Sequence, residues 1–357
     1  MLNLEKLNRE AFQTQLLTWY DENKRDLPWR NTQDPYHIWV SEIMLQQTRV
    51  ETVIPYFEDF IERFPTLDAL AEADEEDVLK AWEGLGYYSR ARNLQAAVRE
   101  VKESYGGVVP NHEEDIATLK GVGPYTAGAI LSIAYGKPVP AVDGNVMRVL
   151  SRVLLVYDDI SKVKTRKMFE SAVRKLIPNN AASNFNQALM ELGATVCTPK
   201  SPGCLLCPVR SECRSFYEGV QAELPVKAKK KRPKLVPIAV AVLENANGQF
   251  LITKRPNEGL LANLWEFPNC EVDSKQQSKK QLEQFFKKSW GIHVDFKEKI
   301  FEFEHIFSHL IWELDVYRGT LHTELIETEE VQLVGIDDFE RYPFSVTHKK
   351  IIRRLAE

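Results

Sequence analysis

No apolar run approaches the roughly 18 residues that a membrane-spanning helix requires, and the first dozen residues mix Lys, Arg and Glu. Neither a span nor a secretory leader is expected, and the chain is assigned to the cytoplasm. Cysteine is scarce as well: there are five in 357 residues. Four of them fall between Cys197 and Cys213, with Cys270 apart. A disulfide framework would spread its bridges along the chain, so this clustering suits a metal site in a reducing compartment. An excess of positive charge is also missing. The net charge of −5 argues against a non-specific nucleic-acid binder coated in positive charge, but not against DNA, because what matters there is local charge. No internal repeat is apparent. What is present, 44% hydrophobic and 27% charged residues, is ordinary for a globular protein, and the length predicts two domains, each with its own core.

Residues 1–220 read as helix after helix. Val50, Ile54 and Phe57 recur at helical spacing, and Leu70, Val78, Leu79 and Trp82 mark one further amphipathic segment. Tyr105-Gly106-Gly107 and Gly136-Lys137-Pro138 punctuate the helices. Residues 221–234 form the predicted linker, ending in the basic run Pro225 to Lys234, which is either a solvated tether or a phosphate contact. Beyond it the period changes. Residues 235–357 begin with two β-branched strands around Asn247-Gly248 and continue with helices near Gln276–Trp290 and Val346–Leu355, a sheet-containing domain.

Two motifs stand out. In Leu119 to Gly136, Gly121 and Gly123 flank Val122, and Pro124 opens a small-residue helix. Glycines there would let a phosphate approach backbone N–H groups at a helix N-terminus, or simply make a tight interhelical turn. In the second, Cys197, Cys204, Cys207 and Cys213 are separated by six, two and five residues. Four thiolates at this spacing can hold either zinc or an iron–sulfur cluster, although the single C-x-x-C with unequal arms departs from a zinc ribbon.

Glu42 sits in the almost unbroken apolar run IWVSEIML, where desolvation would keep it protonated; an ordinary helix-surface acid is the alternative. Asp143 precedes a helix whose apolar face is Val146, Val149, Leu150 and Val153, which makes it an N-cap worth about 1 kcal/mol. Two carboxylates in unlike surroundings are what glycosidic bond cleavage needs, one to protonate a poor leaving group and one to face a cationic sugar.

The glycine turn followed by the cysteine cluster resembles the endonuclease III superfamily of helix-hairpin-helix base-excision enzymes. Pro28–Arg30, Val40–Val50 and Ala141–Arg152 further resemble the hallmark segments of the adenine DNA glycosylases, and the likeness extends over nearly the whole chain. The resemblance implies a mostly α-helical glycosylase domain with a [4Fe-4S] cluster on the four cysteines, and a monomer associated with the nucleoid. Its substrate would be duplex DNA holding adenine opposite 8-oxoguanine or guanine; protein partners among replication and repair factors are left open. It implies Glu42 as proton donor, Asp143 as stabiliser of the oxocarbenium-like sugar, Asn145 orienting Asp143, and Tyr125 supporting it. Lyase members carry a nucleophilic lysine where this chain has Tyr125, so a monofunctional enzyme is expected. Because the target base must be flipped out of the duplex, the resemblance places Arg30, Leu85 and Gln187 around it, and Gln47 and Tyr87 in the stack. Tyr87 and Tyr88 could equally be core aromatics.

The C-terminal part resembles the Nudix fold. Where Nudix hydrolases hold magnesium with carboxylates, Gln284, Phe285, Lys288 and Ser289 stand here, so recognition rather than hydrolysis is implied. Phe307, Ser308 and His309 would read 8-oxoguanine, with Ser308 bonding the altered base edge, Phe307 wedging and His309 probing the groove. A plain hairpin is the alternative. Three rival readings are a pyrimidine-lesion lyase, disfavoured by Tyr125, a catalytically silent iron–sulfur DNA-binding module, and a nucleotide-pool hydrolase, disfavoured by the missing carboxylates.

Overall fold

The structure, a computed structural model, describes residues 4–228, 232–323 and 325–357. It divides into two compact units: one comprises the described residues of Met1–Glu72 and Asn93–Lys229, the other those of Ala73–Arg92 and Lys230–Glu357. In chain order the helices preceding the sheet are α1 (Arg9–Asn23), α2 (Pro35–Leu45), α3 (Val50–Arg63), α4 (Leu67–Glu72), α5 (Glu75–Ala81), α6 (Ser89–Ser104), α7 (Glu113–Ile116), α8 (Pro124–Ile133), α9 (Gly144–Val153), α10 (Val163–Leu176), α11 (Ala182–Thr195) and α12 (Arg214–Tyr217). The segment read from sequence as one helix through Leu70 and Trp82 is thus two, α4 and α5. The break falls at Ala73-Asp74, where the chain passes from one unit to the other.

In the first unit, α1, α9, α10 and α11 share a core that includes Phe12, Leu16, Val149, Phe169, Phe185 and Leu189. Helix α2 is buried nearly all round, from Tyr36 through Met44, as expected of a helix without a polar face. Helix α8 makes a closer contact. A Cβ on Gly128 would lie 1.9 Å from the carbonyl oxygen of Pro140, so only glycine lets α8 meet the extended segment leading to Asp143. Asn186 of α11 locks that segment from within: it receives a hydrogen bond from the Ala141 N–H at 3.2 Å and donates to the Val139 carbonyl at 2.8 Å and to Ser132 Oγ at 2.9 Å.

The predicted linker is less free than its composition suggests. Val226 accepts from Ile160 N at 3.0 Å, and Leu224 accepts from the buried Arg152 at 3.0 Å, so the first unit holds this stretch. Residues 229–231 of the basic run lie outside the described residues.

The second unit is built on a mixed sheet. Its strands are β1 (Lys234–Glu244), β2 (Phe250–Lys254), β3 (Trp265–Glu266), β4 (Asn269–Glu271), β5 (Phe296–Ile306), β6 (Leu310–Thr320) and β7 (Val331–Val334). The order is β3-β2-β1-β6-β5, with β4 on β1 and β7 on β2, and β1 runs parallel to β6 along its whole length. Two helices complete it, α13 (Ser278–Ser289) and α14 (Val346–Ala356), near the predicted positions. Leu282 and Phe286 of α13 join one core cluster and Ile351 of α14 joins another.

Residues 73–92 also belong to this unit, so the first unit is not one continuous run of the chain. Glu83 explains why: its carboxylate accepts from the Phe344 N–H at 2.9 Å and pairs with Lys349 at 2.6 Å, while Tyr88 donates to the Phe344 carbonyl at 3.2 Å. Composition marks where the chain changes character, whereas these contacts join partners more than 250 positions apart. Among the described residues no helix is long and apolar enough to cross a membrane.

Candidate active site

Glu42 and Asp143 line one cavity of about 180 Å³ in the first unit, together with Arg30, Tyr125, Asn145 and Gln187. Of the residues assigned to the base pocket from sequence, Arg30 and Gln187 are therefore on its wall. Leu85 lies in the second unit, buried in the turn after α5, and is not among the lining residues.

The two carboxylates are set up differently. Glu42, on α2, is 5% exposed, and a single hydroxyl, Tyr125 Oη, donates to its Oε2 at 2.6 Å. Burial pushes its carboxyl up to about 7; Asp143 adds to the rise, and the Tyr125 hydrogen bond and the Arg30 charge oppose it. Tyr125, half-buried against Glu42, is raised well above its ordinary value by desolvation of its hydroxyl and by the charges of Glu42 and Asp143, and stays a neutral donor. Asp143 caps α9. Its Oδ1 accepts from the Val146 N–H at 2.7 Å and its Oδ2 from the Asn145 amide at 2.8 Å. Burial raises Asp143 too, against these donors and the charge of Arg148. More donors aim at Asp143 than at Glu42, so when one proton is shared between them Glu42 holds it.

Asn145 is itself held. Arg148 donates to its Oδ1 at 2.8 Å, to the Gly193 carbonyl at 2.8 Å and to the Cys197 carbonyl at 2.8 Å. A Cβ on Gly193 would lie 2.6 Å from that of Asn145, so glycine is what permits α11 to pass this close to α9. Sequence reading missed Arg148, Gly193 and Asn186, and also Glu191, which accepts from both Arg25 and Arg30 at the cavity wall. The available signal was spacing: Arg148 and Arg152 lie four apart on α9, as do Gln187 and Glu191 on α11.

The glycine turn joins α7 to α8. Gly121 has φ +80°, and a Cβ there would meet Asn93 Cβ at 2.9 Å, so glycine is required on both counts. Gly123 caps α8 with Pro124 at its first position; Gly121 and Gly123 are exposed and Val122 is buried. Gln47, just beyond α2, is exposed with φ +60°, a left-handed conformation that costs a non-glycine residue free energy.

Cys197, Cys204, Cys207 and Cys213 line a single cavity with Arg152, and Arg152 donates to Cys197 Sγ at 3.2 Å. Burial pushes up the thiols of Cys197 and Cys204, and that of Cys207 to about 12. Such thiols ionise only beside a cationic centre that favours thiolate. Among the described residues no three His, Cys, Asp or Glu side chains converge as ligands of one ion. Four thiols around one cavity are a donor set that suits either zinc or an iron–sulfur cluster.

In the second unit a cavity of about 450 Å³ is bordered by Tyr87, Arg92, His305, Phe307, Ser308 and His309. Tyr88 is core and Tyr87 is 45% exposed, so of the two tyrosines that the sequence allowed as core aromatics Tyr88 is one and Tyr87 is not. Tyr87 Oη and Ser308 Oγ share a hydrogen bond at 2.8 Å. Ser308 and His309 are exposed at the β5–β6 turn, whereas Phe307 is turned inward, its ring 4.5 Å from His305 and 4.9 Å from Trp312. The exposed apolar residue beside the turn is Ile306, at 68%.

Residues 40–175 match the HhH-GPD superfamily of base excision DNA repair proteins, and residues 239–354 match a NUDIX domain. The chain is 39% identical to the adenine DNA glycosylase of Homo sapiens, over 96% of its own length and 73% of the human protein. It is 38% identical to that of Arabidopsis thaliana, over 90% of its length, and spans 57% of that relative. Among solved structures, a thermostable thymine-DNA glycosylase superposes with a TM-score of 0.53 at 29% identity, covering 59% of this chain and 97% of the other. A trapped endonuclease III–DNA covalent intermediate shares the fold, with a TM-score of 0.52 at 23% identity over 61% of this chain and 99% of that one.

Proposed function

The chain belongs to the adenine DNA glycosylase family, and from that premise we propose that it is a monofunctional base-excision enzyme that hydrolyses the N-glycosidic bond of adenine opposite 8-oxoguanine or guanine in duplex DNA. The observation that carries this reading is the meeting of Glu42, Tyr125 and Asp143 at one cavity. The cavity, of about 180 Å³, has room for one flat base. An extruded adenine enters it, Arg30 and Gln187 offering polar groups to its edge. Glu42 delivers a proton to the ring, which turns adenine into a neutral leaving group. Asp143 stays ionised against the sugar as positive charge develops there, its direction fixed by Asn145 and Val146. Tyr125 has no amine to give the sugar, so water completes the reaction. Single-turnover excision on duplexes with adenine opposite 8-oxoguanine, guanine or thymine tests this. Release of adenine from the first two is expected, and release of a pyrimidine lesion in its place, or a borohydride-trapped lysine adduct, would overturn it.

The four cysteines are read as ligands of a [4Fe-4S] cluster, which when bound pins the loop from Cys197 to Cys213 beside α9. Purified protein should be brown and carry about four irons per chain, both lost together in Cys207→Ser. Zinc in place of iron on elemental analysis would refute the assignment.

The second unit is read as the lesion sensor. Ser308 exchanges its bond to Tyr87 for one to the altered edge of 8-oxoguanine, and Tyr87, already in a left-handed conformation and half exposed, stacks on a neighbouring base. Ser308→Ala is expected to shrink the preference for 8-oxoguanine over guanine opposite adenine by about tenfold, the worth of one buried hydrogen bond. An unchanged ratio of the two excision rates would remove Ser308 from the sensor. Phe307→Ala is the poorer test, because that ring packs against His305 and Trp312.

A further inference from the structure

Glu191 lies on α11 one turn beyond Gln187, and its side chain is 1% exposed. An ionised carboxylate so buried is destabilising unless it is paired. Arg25 grips both oxygens, Nε to Oε1 at 2.7 Å and Nη2 to Oε2 at 2.9 Å, and Arg30 donates through Nη2 to Oε2 at 2.7 Å. Arg30 is fixed again by Nη1 to the Arg25 carbonyl at 2.9 Å and by its guanidinium carbon 5.5 Å from the Tyr20 ring centroid. Burial would push Glu191 up, but the two guanidiniums overrule it and hold it at about 2. The triad therefore carries a net charge of +1, the sum of two cations and one anion, on a wall of the cavity that also holds Glu42.

The geometry points to Glu191 as a positioning residue for the reaction proposed above, on which this inference rests. By dividing its carboxylate between Arg25 and Arg30, it fixes the Arg30 guanidinium on the cavity wall and offsets positive charge that would drive the proton off Glu42. The titratable and charged groups facing Glu42 are Tyr125 from α8, Asp143 at the start of α9 and Arg30 from the turn before α2. Of these, Arg30 alone is in contact with Glu191.

Glu191→Gln keeps the shape and leaves the triad at +2. The falling limb of excision against pH is expected to move down by about half to one unit. Excision at about pH 8 then drops several-fold, with little change at about pH 5.5. Glu191→Gln combined with Arg25→Met returns the triad to +1 and should move the limb most of the way back, and Glu191→Asp, which keeps the charge, should leave it in place. A loss of the same factor at every pH, or a double variant worse than the single, would overturn the inference. The Glu42 carboxyl midpoint, followed by carbon-13 NMR of the labelled full-length chain without DNA, supplies a readout independent of catalysis. It should fall in Glu191→Gln and recover in the double variant; an unmoved midpoint sinks the inference whatever the excision rates. A midpoint that moves in a chain unable to release adenine condemns the functional reading and leaves the charge relation standing.

Discussion

Glu42→Gln is expected to slow adenine release under single-turnover conditions by about 10³-fold, within the range that loss of a positioned general acid produces. The wild-type pH profile should identify the same group. The donor must be protonated, and with the Glu42 carboxyl raised to about 7, excision should be flat in mild acid and fall as pH rises through neutrality. In Glu42→Gln that fall should disappear from the residual rate. On stability the substitution should have the opposite sign, a gain rather than a loss. A carboxyl whose folded value lies above its unfolded one contributes stability below the unfolded value and loses it as pH rises through the folded value. Wild type thus gives up about 3 kcal/mol on passing from about pH 4 to about pH 8, the worth of a rise from 4.5 to about 7. The glutamine carries no such loss, so its thermal midpoint should exceed that of wild type above neutrality. A variant that excises normally, or one that has simply unfolded, would contradict the role given to Glu42.

Much of this site was legible in the sequence because its residues break a local rule. A glutamate inside IWVSEIML, an aspartate at the head of an amphipathic helix and four crowded cysteines each conflict with, or complete, a pattern that a short window reveals. The supporting residues break none. Arg148, Asn186 and Glu191 are polar residues on helices with ordinary apolar faces, and each reads as solvent-facing until α8, α9 and α11 are packed against one another. The glycines that permit this packing, Gly128 and Gly193, look in sequence like small residues of no consequence; only the neighbouring Pro140 carbonyl and Asn145 Cβ show why nothing larger fits. The fold shows the same division. Period and turn signals found the β1–β2 hairpin and α13 and α14, but no local signal could attach residues 73–92 to the second unit, because Glu83 and its partners Phe344 and Lys349 are distant in the chain. Phe307 is an intermediate case. Its motif marked the turn, while the direction of its ring follows from the β5–β6 register, in which His305 faces Trp312 and encloses it.

Asp143→Asn separates charge from shape at the other half of the site. The substituted amide oxygen can still cap α9 through the Val146 N–H, so the fold should persist with a loss of at most about 1 kcal/mol. What disappears is the negative charge facing the sugar, and with it the acceptor for the Asn145 amide, leaving two NH₂ groups opposed. The plateau rate is expected to drop by about 10²–10³-fold, the scale of losing one preorganised electrostatic partner of the transition state. A second effect has a definite sign. Asp143 raises the Glu42 carboxyl, so its neutralisation lets Glu42 ionise more easily and moves the falling limb to lower pH. The origin of the plateau loss can be checked without turnover by comparing duplexes that carry a cationic azasugar with duplexes that carry a neutral abasic analogue. Binding of the cation should weaken in Asp143→Asn by a factor comparable to the rate loss, because both report affinity for positive charge at the sugar, while the neutral analogue binds as before. Equal weakening of both analogues would mean that Asp143 only shapes the cavity, and the division of labour between the two carboxylates would fail.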